Sequence, residues 1–309
     1  MILCCGEALI DMLPYELNTG QHCFVPKTGG SVFNTAVALG RLAVNVSLFT
    51  GISKDLFGEM LTKELSDSQV GTDYLVHFDL PTSLAFVKFV EQQAQYTFYS
   101  AQAADTMLTP SDLPKDNSEF KGIFLGGISL CTDPTASTLL TLLRKHSKRS
   151  VIFLDPNIRP SFISDERSYR LRLNEMIELS DIVKLSDIDL TWLIPDDSSL
   201  NAKIKKLFGY SGKLVVMTRG EKGAVVFHSG KKIAEAQSLP TILGDTVGAG
   251  DTFNAGLICS LINQGVFTKE DCTEPSELAM QNALIFATKS ASYTVSKVGA
   301  VSPWLSEIS

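Results

Sequence analysis

Residues 244–256 hold the densest chemistry in the chain: Gly244-Asp245-Thr246-Val247-Gly248-Ala249-Gly250-Asp251-Thr252-Phe253-Asn254-Ala255-Gly256. The apolar, small-residue run 253–262 reads as a buried helix, so the glycines feed a helix N-terminus. Such an end presents unpaired N–H groups and about half a positive charge to an anion. A carboxylate inside an anion site repels a phosphate unless it has work there. The simplest work is to take a proton from a hydroxyl that attacks the phosphate, which makes Asp251 a candidate general base and Gly248, Ala249 and Gly250 a candidate anion hole. The glycines alone would serve equally well as a sharp turn. No Gly-x-x-x-x-Gly-Lys-Ser/Thr occurs, and the glycines stand too late for a dinucleotide fingerprint.

A second candidate lies near the start. Gly29-Gly30-Ser31-Val32-Phe33-Asn34 opens a helical pattern with Val32, Ala36 and Leu39 on one face. Ser31 is its expected N-cap. Gly30 lets backbone approach a ligand, and Asn34, one turn in, offers both a donor and an acceptor. Asp11 is expected at the end of the first strand, where a carboxylate can accept from two vicinal hydroxyls or cap a turn. Asp155, Lys184 and Thr218 fall at or just past further strand ends, where open parallel sheets bind ligands.

The elements that must position these residues alternate in type. Strand-like runs at 46–53, 122–127, 151–154, 182–185 and 214–217 are interleaved with helical patterns such as 55–68 and 134–146. This predicts an α/β fold with a mostly parallel central sheet and helices on both faces. Residues 12–27 and 74–100 break the alternation with β segments and predict a small β-sheet lid inserted in a single domain, 1–309. Phe24, Phe86, Phe98 and Tyr99 are its candidate ligand-facing aromatics.

Composition narrows the function classes. The 309 residues carry a net charge of −7 and no basic stripe, which argues against a nucleic-acid partner. No apolar run reaches membrane-spanning length, so no membrane partner is expected. Met1–Cys5 reads as a buried strand and not a signal peptide. Six scattered cysteines read as reduced thiols of a cytoplasmic protein, and Cys4 and Cys5 should face opposite sides of a strand. Cysteine and histidine spacing forms no zinc site.

The di-glycine plus Asn34 motif and the late Gly-Ala-Gly-Asp together resemble the two signatures of the ribokinase/PfkB-like carbohydrate kinases. The resemblance extends over nearly the whole chain. It includes Gly6-Glu7-Ala8-Leu9-Ile10-Asp11, Asp155-Pro156-Asn157-Ile158-Arg159-Pro160, Lys184-Leu185-Ser186-Asp187, Thr218-Arg219-Gly220 and Val298-Gly299-Ala300. Within the family the chain is most similar to bacterial fructokinases.

The resemblance implies a ribokinase-like fold and transfer of the γ-phosphoryl of ATP, with Mg²⁺, to a sugar hydroxyl. It implies a sugar cradle of Asp11, Gly30 and Asn34, with Phe98 and Arg159 nearby. Nucleotide contacts are implied at Lys184, Ser186, Thr218, Gly220 and Asn282. Where relatives carry Asn-x-x-Glu, this chain has Ser186-Asp187-Ile188-Asp189, which leaves Asp189 as the acid toward Mg²⁺. Asp245, with backbone around Gly299, is the candidate for a monovalent cation, K⁺. The partners implied are a small sugar and ATP, with a homodimer through the lid. Fructose is the first expectation. The alternatives are 2-keto-3-deoxygluconate, a nucleoside, or a non-catalytic sugar-binding regulator. Residues 96–105 contain no arginine to meet an acid sugar, and the intact Asp251 argues against a regulator.

Overall fold

The computed structural model describes residues 1–90, 93–115, 118–208, 213–242 and 244–308, with the side chains of 88–90 and 93–96 outside that description. Short apolar runs build the large sheet: β1 (Ile2–Cys5), β4 (Val46–Ser53), β5 (Leu75–Phe78), β8 (Gly122–Gly126), β9 (Val151–Asp155), β10 (Ile182–Ser186), β11 (Leu214–Thr218), β12 (Ala224–His228) and β13 (Lys231–Ala236). Their order is β13-β12-β11-β10-β9-β8-β1-β4-β5. All neighbours are parallel except β11–β12 and β12–β13. Strands covered on both faces need no polar alternation, which is why β1, β8 and β9 are buried throughout.

One face is covered by α1 (Ser31–Arg41), α2 (Leu56–Asp67), α7 (Ala249–Asn263), α8 (Lys269–Thr273), α9 (Glu277–Val295) and α10 (Leu305–Ile308). The other carries α3 (Thr135–His146), α4 (Glu166–Leu179), α5 (Asp187–Leu193) and α6 (Leu200–Phe208). Cys4 packs in the first core and Cys5 in the second, as strand alternation requires. By the same alternation Lys184 follows Ile182, and Asp155 follows Phe153, onto the α7 face.

α7 approaches α9 closely because Gly256 has no side chain. A Cβ there would stand 2.9 Å from the Ala287 Cα, which cannot swing away. Gly256→Val is therefore expected to destabilise the fold by about 1–3 kcal/mol, the usual cost of overpacking. A thermal melt with unchanged or raised Tm would contradict this packing.

A second sheet, β3-β2-β6-β7, is formed by β2 (Leu9–Glu16), β3 (His22–Gly29), β6 (Ser83–Val90) and β7 (Gln93–Tyr99). Its extent departs from the expected 12–27 and 74–100. Residues 75–78 pair in parallel with β4 in the large sheet, so the lid hairpin starts at Ser83. The first lid strand starts at Leu9, paired to Gly29. Asp11 is thus on a lid strand and not at the end of β1. Residues 91–92 of the expected lid fall outside the described residues. The helix expected from 253 begins four residues earlier, at Ala249, which brings Asp251 into its first turn.

Candidate active site

A cleft of about 760 Å³ opens between the lid and the carboxyl edge of the large sheet. Asp11 and Phe98 line it from the lid, Gly30 and Asn34 from α1, Lys184 from β10, and Asp251 with Gly248 and Gly250 from α7. Residues more than two hundred positions apart meet directly: Asn34 Nδ2 donates to Asp251 Oδ2 at 3.0 Å.

Gly248 caps α7 in the left-handed conformation, with φ 76°. A Cβ there would also stand 2.6 Å from the Ala300 Cβ, so glycine is required twice over. Among the described residues, the N–H groups of Gly248, Gly250 and Asp251 meet no acceptor, while Ala249 N–H donates to the Thr246 carbonyl at 3.3 Å. Of the three N–H groups expected for an anion hole, that of Ala249 is therefore engaged, and that of Asp251 meets no acceptor beside Gly248 and Gly250.

Burial pushes the Asp251 carboxyl up to about 7. The Asn34 bond and the Lys184 charge pull it down, and Asp155 and Glu7 raise it. The Lys184 ammonium is also buried, which pulls it down, but Asp155, Asp189 and Asp251 outweigh that and hold it above its ordinary value. Lys184 Nζ donates to Asp155 Oδ2 at 2.8 Å, and Asn254 Nδ2 donates to the same oxygen at 2.7 Å. The ammonium lies 3.4 Å from where a Gly250 Cβ would be, so it sits against the start of α7.

Across the cleft, Asp11 meets no donor among the described residues, and burial pushes it up to about 6. Gly29 makes room for it, since a Cβ there would stand 2.2 Å from Asp11 Oδ2. Phe98 shares its row: Asp11 pairs with Ala85, and Ala85 with Phe98. Its ring meets Phe162, from the loop after β9, at 4.2 Å edge to face. Phe24, Phe86 and Tyr99 form their own cluster at 4.9 and 5.5 Å. The pleat puts them on the opposite face of the lid from Asp11 and Phe98, so these three do not face the cleft.

The start of α1 is held by a residue that local spacing could not reveal. Glu7 Oε1 accepts from Ser31 N–H at 2.9 Å and Ser31 Oγ at 2.8 Å, and Oε2 accepts from Ser129 N–H at 3.2 Å. The N-cap is Gly30, with φ 104°, and Ser31 is the first helical residue. A capping acid 24 residues upstream matches no sequence-local pattern, and only the Gly6-Glu7 motif marks it.

The other expected site residues lie apart from this centre. Arg159 lines the cleft, but its guanidinium folds back on the Asn157 and Ile158 carbonyls at 3.4 and 3.2 Å. Ser186 and Thr218 are register partners at the ends of β10 and β11, and Gly220 follows with φ 54°. Asp189 is buried in a capping box with Ser186, at 2.8 Å to its N–H, and also accepts from Ile158 N–H at 2.7 Å. It does not line the cleft, so it is not placed as a direct Mg²⁺ ligand. Asp245 accepts from Val247 N–H at 3.1 Å and Gly299 N–H at 3.2 Å, tying the two loops together. Asn282 does not line the cleft. It is bonded at 3.3 Å to Gln264, just past the C-terminus of α7, a helix length of about 20 Å from the anion hole.

Free N–H donors, a charged lysine and a buried carboxylate under a lid suit phosphoryl transfer to a hydroxyl. The fold that carries them is ribokinase-like, that of solved sugar kinases. The chain belongs to the pfkB family of carbohydrate kinases, whose pattern it matches over residues 1–307. It is 43% identical to a fructokinase of Rhizobium leguminosarum bv. trifolii over 284 residues, covering 91% of this chain and 86% of that one. The crystal structure of Xylella fastidiosa fructokinase with bound ATP superposes with a TM-score of 0.88 at 26% identity, covering 99% and 96% of the two chains. Vibrio cholerae O395 fructokinase, in its fructose, ADP and calcium ion bound form, gives 0.83 at 26% identity over 97% and 94%. A double mutant of that enzyme holds fructose, ADP and potassium ion.

The acid limb of the pH profile follows from the two raised carboxyls. With Asp251 as the expected base, which must be ionised, kcat/KM is expected to rise tenfold per pH unit below about 7 and level off above it. With Asp11 as the expected sugar ligand, which must be ionised as well, the slope is expected to steepen below about 6. A profile flat between pH 5 and pH 8 would contradict both assignments.

Proposed function

We propose that this chain, as one kinase domain over residues 1–309, phosphorylates fructose with ATP. The observation that carries the reading is Asp251, bonded to Asn34 and flanked by free N–H groups, facing the donor-free carboxylate of Asp11 across one cleft. Asp11, Asn34 and the Gly30 backbone hold the sugar, with Phe98 as an apolar wall. Asp251 takes the proton of the sugar hydroxyl as its oxygen bonds to the γ-phosphorus and the bond to the ADP oxygen breaks. The N–H groups of Gly248, Gly250 and Asp251, with Lys184, stabilise the charge that spreads over the transferring oxygens. Ser186, Thr218 and Gly220 form the nucleotide side.

Mg²⁺, carried on the nucleotide phosphates, would neutralise their charge. Asp155 Oδ1 is buried without a hydrogen-bond partner among the described residues, but Asp155, like Asp189, does not line the cleft, so the phosphates would carry the metal. Asp245 with the Gly299 backbone is the proposed place for K⁺. The cytoplasm fits six free cysteines, and no helix among the described residues is long and apolar enough to cross a membrane. The exposed aromatics Phe24 and Tyr99 on the back of the lid favour a homodimer there.

An acid sugar is the second reading, but Arg159 spends its guanidinium on its own loop. A coupled ADP-release assay over neutral sugars, nucleosides and 2-keto-3-deoxygluconate tests the choice. Fructose is expected to give the highest kcat/KM, and a higher value for the acid sugar or a nucleoside would overturn it.

A further inference from the structure

Outside the cleft, the chain buries one more carboxyl at a place where the lid joins the body. Asp105 is 4% exposed, and its Oδ1 accepts from Ser83 Oγ at 2.5 Å. Ser83 is the first residue of β6 and is itself 1% exposed. Asp105 lies six residues past the end of β7. This one bond therefore joins the two points where the β6–β7 hairpin leaves and re-enters the body. The main chain at Asp105 is fastened in turn, because its carbonyl accepts from Thr135 Oγ1, at the start of α3, at 3.1 Å. A neighbouring tie, Ala104 N–H to the Pro81 carbonyl at 2.9 Å, closes the same neck.

What this neck carries is the sugar-facing row. Ser83 and Ala85 share a face of β6, about 7 Å apart along the strand. Ala85 stands between Asp11 on β2 and Phe98 on β7. A shift of Ser83 is passed along a hydrogen-bonded strand to both residues. Asp105 lines a cavity of about 20 Å³, where Ser100 and Thr106 of the neck meet Ser129 and Thr135 of the body. That volume holds one water, and the polar lining can bind it. Ile128 and Phe162, which line both spaces, stand between this cavity and the cleft.

We propose that Asp105 is a positioning residue for the acceptor sugar: it ties the first residue of β6 to the neck of the lid and, through one water, to the body. The proposal rests on the sugar-kinase reading of the cleft. Asp105 acts as a neutral hydrogen-bonding group, accepting from Ser83 on one oxygen and donating to the water from the other. Burial holds its carboxyl at about 7, with Glu7 adding to the rise and the Ser83 bond opposing it, so this form is accessible near neutrality. Asparagine copies it, with an acceptor toward Ser83 and a donor toward the cavity.

The test is steady-state kinetics on the full chain with Asp105→Asn, Asp105→Ala and Ser83→Ala, with fructose and ATP varied separately. Asp105→Asn is expected to keep both KM values. Asp105→Ala and Ser83→Ala are expected to raise the fructose KM by about tenfold, the scale of one lost buried hydrogen bond, and to leave the ATP KM unchanged. A loosened lid also admits water, so ATP hydrolysis without sugar rises in both. If Asp105→Ala does not fold, the other two variants still decide. A parallel rise in both KM values, an unchanged fructose KM in Ser83→Ala, or loss of sugar affinity in Asp105→Asn would each overturn the proposal. Turnover of another sugar in place of fructose by the unchanged chain would sink the substrate reading alone, and the same comparison would then be made with that sugar.

Discussion

Asp251→Asn is expected to lower kcat by about 10²–10⁴-fold, the range for loss of a positioned general base. Fructose KM should stay nearly unchanged. The asparagine keeps the shape of the carboxylate, and its amide oxygen can still accept from Asn34 Nδ2, which meets the Asp251 carboxylate at 3.0 Å. The backbone N–H groups at the start of α7 are untouched, so the proposed anion hole survives. What disappears is the basic oxygen, and only the transition state needs it. Initial rates with saturating ATP and fructose measure kcat directly. A variant with native kcat would remove Asp251 from the base role, and one with a large KM rise alone would make it a sugar-binding residue.

Asp11→Asn is expected to raise the fructose KM by about 10²-fold, with ATP KM unchanged. Two hydroxyls donating to one carboxylate are charge-assisted bonds worth about 1.5–3 kcal/mol each. The amide offers one acceptor and turns a donor toward the second hydroxyl. The change leaves the lid intact, because no residue described in the structure depends on the Asp11 carboxylate for a hydrogen bond. Separate fructose and ATP titrations distinguish this from general damage. Equal rises in both KM values would contradict the placement of Asp11 in the sugar cradle.

Much of this site is legible in the order of residues, for physical reasons that differ from one residue to the next. The Gly248–Asp251 turn announces itself because its proposed role, anion binding at a helix start, needs small residues in consecutive positions. Buried parallel strands show as short apolar runs, so the sheet and its functional edge are readable. Pairing partners are not: β5 reads as well for the lid as for the large sheet, and only its bonds to β4 decide. The antiparallel pair β12–β13 at the sheet edge leaves no alternation signal, since β12 is buried along nearly its whole length.

Three of the four candidate lid aromatics, Phe24, Phe86 and Tyr99, face away from the cleft because the register, not the composition, chooses the side. Asn282 looks available on a helix, yet its height along α9 places it beside Gln264. Glu7 and Asp105 escape a sequence reading as structural ties because each acts over a long sequence distance, 24 residues to Ser31 and 22 to Ser83. Long-range hydrogen bonds of that kind carry no local spacing rule.

The most direct measurement is to follow the label from [γ-³²P]ATP mixed with fructose and the native chain, with Asp251→Asn run alongside. Label should appear in a fructose phosphate with the native chain, at a rate far above the variant. Label recovered only as inorganic phosphate, or transferred equally fast by both proteins, would contradict a carboxylate that activates a sugar hydroxyl at the start of α7.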